Sequence, residues 1–352
     1  MTCPPPTKTT LTVALLSLLP ACALSGPGTV GSDRFDYVSA IARSQDQQLL
    51  LNIVRARYAE SPMVVDVGSV VSGYEFGGKG GATWANVGLS SDTLELGVEG
   101  RWLEQPTITY KPVTGRQFDR VLVTPVPPGA VLYFMQAGWP AQMVLRMAVD
   151  SVNDHRNGTF LAGRGPAGDA IFDRMIDVLT QRLHTGSLGL RLERDEDGAY
   201  TTTMALLDER IPPEDRQQGA QLRESLGIAP DQNAFPIVYG PADGNPATIN
   251  VLTRPLLQVL NELSAGVQLP DDDRDRALAV DTSRDQRPPI RIASGSSRPG
   301  ERAFVAVQYR GHWFWIDDDD LESRQAFGLL LVLFHVMAGG DAGFGPSQTI
   351  PT

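Results

Sequence analysis

Residues 74–102 read YEFGGKGGATWANVGLSSDTLELGVEGRW. From Leu94 onward apolar and polar residues alternate. Leu94, Leu96, Val98, Gly100 and Trp102 take one set of positions, and Glu95, Gly97, Glu99 and Arg101 take the other. A period of two gives a β-strand one apolar and one polar face. Ser90, Ser91 and Asp92 provide a turn back to a first strand over Thr83–Leu89. Glycines crowd the segment at 77, 78, 80, 81, 88, 97 and 100. Strands of about nine residues lie near the roughly 9–11 that cross a membrane as part of a barrel. A lone hairpin cannot hide its edges in lipid, so it would have to join hairpins from other copies in a closed barrel. The plainer reading is a hairpin of a soluble sheet. Under the barrel reading Glu95, Glu99 and Arg101 need a wet lumen. Trp84, Leu94, Leu96, Val98 and Trp102 are the candidate residues of this interaction or membrane hairpin.

Working outward, Asp36–Ala59 predicts a helix whose broad apolar face holds Ile41, Leu49, Leu50, Ile53, Val54 and Tyr58, with Arg55 and Arg57 outside it. Met63–Tyr74 is strand-like, and Thr107–Tyr110 continues the β character. Helices are expected at Gly115–Val123, Ala130–Ala137, Pro140–Asn153 and Asp169–His184, the last capped by Gly186. Leu188–Arg194 and Tyr200–Leu207 form a hairpin around Asp195–Gly198. Pro213–Leu226 is a polar helix, Phe235–Tyr239 and Thr248–Leu252 are strands, and Arg254–Ala265 is an amphipathic helix. Pro270–Pro289 reads as a solvated loop. Strands at Ile290–Ala293, Phe304–Tyr309 and His312–Ile316 precede an apolar helix, Asp319–Met337. That helix has about a dozen apolar residues, which suits a buried core helix, and no second apolar run is long enough to span a bilayer. The fold class is α+β: a helical block plus antiparallel β-hairpins, as one integrated unit or two packed lobes, after a cleaved signal peptide.

The N-terminus carries the address. Lys8 precedes an apolar run, LTVALLSLL at Leu11–Leu19, too short to span a bilayer. Leu19-Pro20-Ala21-Cys22 resembles a bacterial lipoprotein signal, in which Cys22 is acylated and the chain is cut before it. The resemblance implies residues 1–21 as signal peptide and 22–34 as a lipid-anchored Gly/Ser-rich tether, which leaves 35–352 as a periplasmic body, either one unit or two lobes at 35–186 and 187–352. By the enterobacterial sorting rule, Ala23 after the cysteine implies the outer membrane. The two cysteines are Cys3 and Cys22. Cys3 leaves with the signal, so no internal disulfide is left to form. A net charge of −11 argues against nucleic acid as a partner.

Several segments, namely LLLNIVRARY (Leu49–Tyr58), PTITYKPVTGRQF (Pro106–Phe118), LVTPVPP (Leu122–Pro128) with QAGW (Gln136–Trp139), Ser151–Asn153 with Asn157, Thr253–Leu257 and YRGHWFWIDDDDL (Tyr309–Leu321), together resemble a largely uncharacterised family of proteobacterial outer-membrane lipoproteins. The resemblance runs across nearly all of the mature chain. It implies location and unity of fold, and no catalytic residue or ligand.

Motifs with chemical content are few. Gly163–Gly168 (GRGPAG) matches GxGxxG, but Pro166 removes an amide that could face a phosphate, and the preceding strand, Thr159–Ala162, is too short. No cofactor is expected. His155, His184, His312 and His335 include no i, i+4 pair, so no metal site is expected. Asp317–Asp320 reads as helix N-terminal acids complementing the dipole rather than a cation site. There is no GxSxG, and Ser294–Ser297 reads as a turn. Trp313 and Trp315 share one face of a strand, a candidate aromatic platform if exposed and core if buried. No catalytic residue is assigned. The leading reading is an outer-membrane lipoprotein with a structural or protein-binding role in the envelope. The second is a ring-forming secretion or export subunit contributing residues 74–102 to an oligomeric barrel. The third is a periplasmic hydrolase of unrecognised type, which a shared pocket of perturbed carboxylates would mark.

Overall fold

The computed structural model describes residues 30–71, 74–86, 92–104, 107–161, 168–194, 200–211, 213–276, 279 and 288–339. The signal peptide, Cys22, the tether up to residue 29, the GxGxxG segment up to Ala167 and the Asp195–Gly198 turn lie outside them. The architecture is α+β.

Helix α1 (Val30–Arg57) opens the body. Its C-terminal half buries Leu49, Leu50, Ile53 and Val54, with Tyr58 buried just beyond its end, while Phe35 and Val38 near its start are exposed. Arg57, expected outside the apolar face, is buried. The helix ends with Glu60 N–H bonded to Arg55 O (2.9 Å), Ala59 N–H to Ala56 O (3.1 Å), and Ala59 at φ +57°. That is a left-handed helix stop built on alanine instead of glycine.

Strands β1 (Val65–Val71), β2 (Tyr74–Asn86), β3 (Asp92–Glu104) and β4 (Thr107–Pro112) follow. Helical residues Arg116–Phe118 and a π-helical turn, Asp119–Val123, lead to α2 (Pro128–Gln136) and α3 (Ala141–Ala148). The chain passes straight from Ala148 into β5 (Val149–Val152), so the helix expected to run to Asn153 stops early. Val149, Ser151 and Val152 pair instead with β10 (Ile249–Thr253). Two β-branched valines in a sheet position outweigh the helical pattern.

The central sheet has six strands in the order β6-β5-β10-β9-β8-β7. The remaining members are β6 (His155–Arg156), β7 (Leu188–Arg194), β8 (Tyr200–Leu206) and β9 (Ala234–Tyr239). Its pairs are antiparallel except β9–β10, which run parallel. Helices α4 (Ala170–His184), α5 (Pro213–Ser225) and α6 (Leu256–Ser264) belong to the same body. Asp169 caps α4 by accepting from Ile171 N (3.0 Å) and Phe172 N (3.3 Å), and Gly186 closes it at φ +65°. Helix α5 carries buried Leu222 and Arg223, so it is less polar in context than in composition.

The expected strand at Ile290–Ala293 lies further on, as β11 (Ala293–Gly295). It pairs with β13 (His312–Asp317), which also pairs with β12 (Ala303–Tyr309). Ser294 is therefore in a strand rather than a turn. Arg310 (φ +50°) and Gly311 (φ +85°) make the two-residue turn between β12 and β13. Asp271–Asp275 is a short helix inside the expected solvated loop. Asp273 is buried there and accepts the Tyr58 hydroxyl at 2.6 Å.

Helix α7 (Leu321–Gly339) completes the body. Leu321–Ala338 does reach the length and hydropathy of a membrane span, contrary to the expectation that no second run would. Its Ala326, Phe327, Leu329, Leu330 and Leu333 are nevertheless buried in the protein core. One hydrophobic core runs from Leu49 to Met337.

The segments carrying the resemblance meet in two places. Val126 N–H donates to Arg254 O (3.3 Å) and Thr253 Oγ1 to Val126 O (2.5 Å). Arg254, fully buried, donates to Arg146 O and Gly158 O (2.8 Å each), and Asn157 Nδ2 donates to Val149 O (2.7 Å). At the second place Tyr58 stacks edge-on against Tyr309 (5.5 Å) and Phe314 (6.4 Å), with Arg310 over its ring at 4.9 Å. Burial, with the Asp273 hydrogen bond second, pushes the Tyr58 hydroxyl well above its usual range.

Candidate functional site

Strands β1 to β4 make two successive two-stranded ladders, together termed the ribbon. β1 pairs with β4 from Val65↔Pro112 to Val71↔Thr107, with a bulge between Val67 and Ser69. β2 then pairs with β3 from Tyr74↔Glu104 to Asn86↔Asp92 without a register shift. Each of these two strands has thirteen residues, not nine. The first therefore begins at Tyr74 and takes in the glycines at 77, 78, 80 and 81. Val87–Leu89, expected to end it, lie outside the described residues. At a rise of about 3.3 Å and a tilt of about 45°, thirteen residues cover roughly 30 Å, the thickness of a bilayer's hydrocarbon core.

The register sorts the residues. One alternating set pairs Phe76↔Trp102, Gly78↔Gly100, Gly80↔Val98, Ala82↔Leu96 and Trp84↔Leu94. The other pairs Glu75↔Leu103, Gly77↔Arg101, Lys79↔Glu99, Gly81↔Gly97, Thr83↔Glu95 and Ala85↔Thr93. The first set is apolar from Phe76 to Trp84 and from Leu94 to Trp102, nine residues on each strand with aromatic ones toward both ends, and it closes on the polar pairs Tyr74↔Glu104 and Asn86↔Asp92. The second is mostly charged, polar or glycine. Alternation within β3 is visible in the sequence; its coincidence across the two strands comes from the register. Among the described residues β2 and β3 pair only with each other, and so do β1 and β4. Among the described residues each ladder is thus two-stranded, with no further strand on either edge.

Its root is held tightly. Val64 and Val113 are buried, and Val113 N–H bonds Val64 O at 2.9 Å. On α1, Asn52 forms a two-point bond with the Met63 backbone: Nδ2 donates to the carbonyl (2.9 Å) and Oδ1 accepts from the amide (2.8 Å). With its amide turned so that the oxygen faces the Val65 N–H, the Gln48 side chain does the same with Val65, accepting at 2.9 Å and donating at 3.2 Å. Four residues of helix rise about 6 Å and two of strand about 6.6 Å, so the repeats match. Side-chain amides here stand in for a neighbouring strand. Beside them lies a cavity of about 140 Å³, lined by Gln45, Gln48, Asn52, Gln117, Phe334 and His335 among others.

The other candidates sit elsewhere. Trp313 and Trp315 are half-buried, opposite the fully buried Phe314 and Ile316. Arg298 covers the Trp313 ring at 5.5 Å, and Trp315 Nε1 donates to Asp317 (2.9 Å). Asp320 receives a fork of bonds from Arg291 (2.8 and 2.7 Å) and caps α7 through Ser323. The Arg291 bonds hold its carboxyl down at about 2. His155 faces Asp169 Oδ2 (3.1 Å) and Ser225 O (2.9 Å). Among the described residues no group of three or more His, Cys, Asp or Glu is placed to hold a metal ion. No carboxylate lines either the root cavity or the apolar cavity beneath α4 and α5. Comparison of the chain with protein-family models, curated proteins and solved structures finds no match. A functional reading therefore starts from the ribbon.

Proposed function

We infer that this chain is an outer-membrane-anchored lipoprotein, acylated at Cys22, whose ribbon joins ribbons of other copies into a closed β-barrel through the membrane. The observation that carries the reading is a thirteen-residue ladder that pairs with no further strand among the described residues and whose apolar positions coincide across both strands from Phe76↔Trp102 to Trp84↔Leu94. Open edges in lipid leave backbone groups unbonded, and pairing edge to edge with identical copies removes every edge. The apolar set then meets lipid, with aromatic residues near both interfaces, and the charged set lines water. The body, rooted through Gln48, Asn52, Val64 and Val113, stays in the periplasm as a ring.

The test is the mass of the lipidated protein in mild detergent, measured by light scattering beside Cys22→Ala. A discrete multimer of the lipidated protein supports the ring. A monomer in both sinks it, leaving the open edge as a docking strand for a different envelope protein, to be sought by crosslinking in cells.

A further inference from the structure

A second site lies at the foot of the ribbon and does not depend on how ribbons assemble. The cavity beside the clamp measures about 140 Å³. It sits between α1, the start of β1, the π-helical turn and the last turns of α7. Leu49, Val121 and Phe334 give it apolar walls, and Gln45, Gln117 and His335 add polar ones. Gln45 belongs to a row: residues 45, 48 and 52 share one face of α1. Gln48 and Asn52 give their amides to the backbone of alternate residues, Val65 and Met63. The next in that series is Val67, where the register of β1 shifts between Val67 and Ser69. The Gln45 amide is left without a hydrogen bond among the described residues, and so is that of Gln117. His335 gives its Nδ1 proton to Leu331 O (2.8 Å), which leaves Nε2 as an acceptor.

The lining sets the chemistry of an occupant. No Asp, Glu, Lys or Arg lines the cavity, so an ionised ligand would leave water with no counter-charge to meet it. Apolar walls with a few polar groups are the ordinary make-up of a small-molecule site. Water suits it poorly, because each molecule needs about three polar partners and the apolar walls offer none. The volume gives the size: a cavity of about 150 Å³ takes benzene, so this one takes a single ring. Gln117 and His335 are exposed, so the cavity opens to solvent beside them and a small polar substituent can point that way.

We propose that this cavity is a binding site for a small neutral aromatic molecule that carries a hydrogen-bonding group. Such a ligand touches the clamp and the segments it holds, since Gln48, Asn52, Val64 and Val113 are also lining residues, so its binding stiffens the ribbon root. The probes are phenol and aniline, with benzoate and benzylammonium as charged counterparts. They are titrated at pH 8, above the ordinary range of histidine, into full-length Cys22→Ala protein, which needs no detergent to compete for the cavity. Binding is read by calorimetry and by hydrogen exchange at Val113, whose N–H bonds Val64 O at 2.9 Å. Phenol should bind with a Kd of about 1 mM or below. At about nine times its Kd it should slow Val113 exchange roughly tenfold. The charged pair should do neither. Gln45→Leu, at a half-buried helix position, should weaken phenol about fivefold, and Ala338→Phe, which fills the cavity, should abolish its binding. If neither phenol nor aniline gives heat or protection, water fills the cavity and the proposal fails. It fails equally if benzoate binds as well as phenol, or if folded Ala338→Phe, verified by circular dichroism, binds unchanged. Should Ala338→Phe not fold, unchanged binding in Gln45→Leu overturns it instead.

Discussion

Ala59 holds the left-handed position that ends α1, where a Cβ is crowded and glycine is at ease. Ala59→Gly should raise stability by about 0.5–1 kcal/mol, with unchanged slope in urea unfolding. Any loss of stability would show that the αL conformation is not what limits this turn. Asp320 offers a charge test. Its carboxyl sits at about 2 when folded against an ordinary 3.8, so the Arg291 pair stabilises the native state above the unfolded value and fades as pH falls toward 2. Arg291 is two-thirds exposed, so solvent screening reduces the effect to about 1 kcal/mol. Asp320→Asn should cost that much at pH 7, and the gap to wild type should close between pH 4 and pH 2. A gap that stays constant with pH would assign the effect to the cap. At this scale the sequence hides most. Arg57, placed outside the apolar face by its spacing, is buried, and Arg182, Arg223 and Arg254 are buried on partners such as Asp208, Pro230 and the Arg146 and Gly158 carbonyls, which nothing local in the sequence marks.

Elements were more legible where period and caps agreed. α4 with Asp169 and Gly186, and the β12–β13 hairpin around Arg310-Gly311, stand where spacing and turn chemistry put them. The failures are also physical. Val149–Val152 continues a helical pattern but is claimed by β10, a partner about 100 residues away. The glycines of Tyr74–Gly81 carry almost no strand propensity, so β2 is visible only through its register with β3. The root clamp was invisible for the same reason: nothing local marks Gln48 and Asn52 as stand-ins for a strand. Their removal makes a prediction at this scale. In Gln48→Ala/Asn52→Ala the backbone groups of Met63 and Val65 lose their partners, so the ribbon should loosen locally while the body holds. Hydrogen exchange at Val113 should speed by roughly tenfold or more, with buried amides of α7 unchanged. Equal acceleration at both would mean that the pair supports the whole fold and not the ribbon root.

For the whole molecule, the barrel reading fixes a stoichiometry. Each copy brings two strands through the membrane, and membrane barrels begin at about eight, so the ring holds at least about four copies. A dimer or trimer in detergent would contradict it as firmly as a monomer. The register also sets the sign of the lumen. The polar set holds Glu75, Glu95 and Glu99 against Lys79 and Arg101, a net charge of −1 per copy that the ring multiplies. Lys79 stands opposite Glu99, whereas Glu95 stands opposite Thr83 and Glu75 opposite Leu103, so these two acids have no basic residue across the ladder. Single channels in planar bilayers should therefore prefer cations, and Glu95→Lys should reverse the preference without altering the oligomer's mass. Leu96→Arg, on the apolar set, should do the opposite: a charge at mid-membrane costs about 2–4 kcal/mol per copy, so the multimer and its conductance should vanish together. If Leu96→Arg conducts like wild type, or Glu95→Lys leaves selectivity unchanged, then the two faces of the ribbon do not meet lipid and water. The open edges must then be met by something other than copies of this chain.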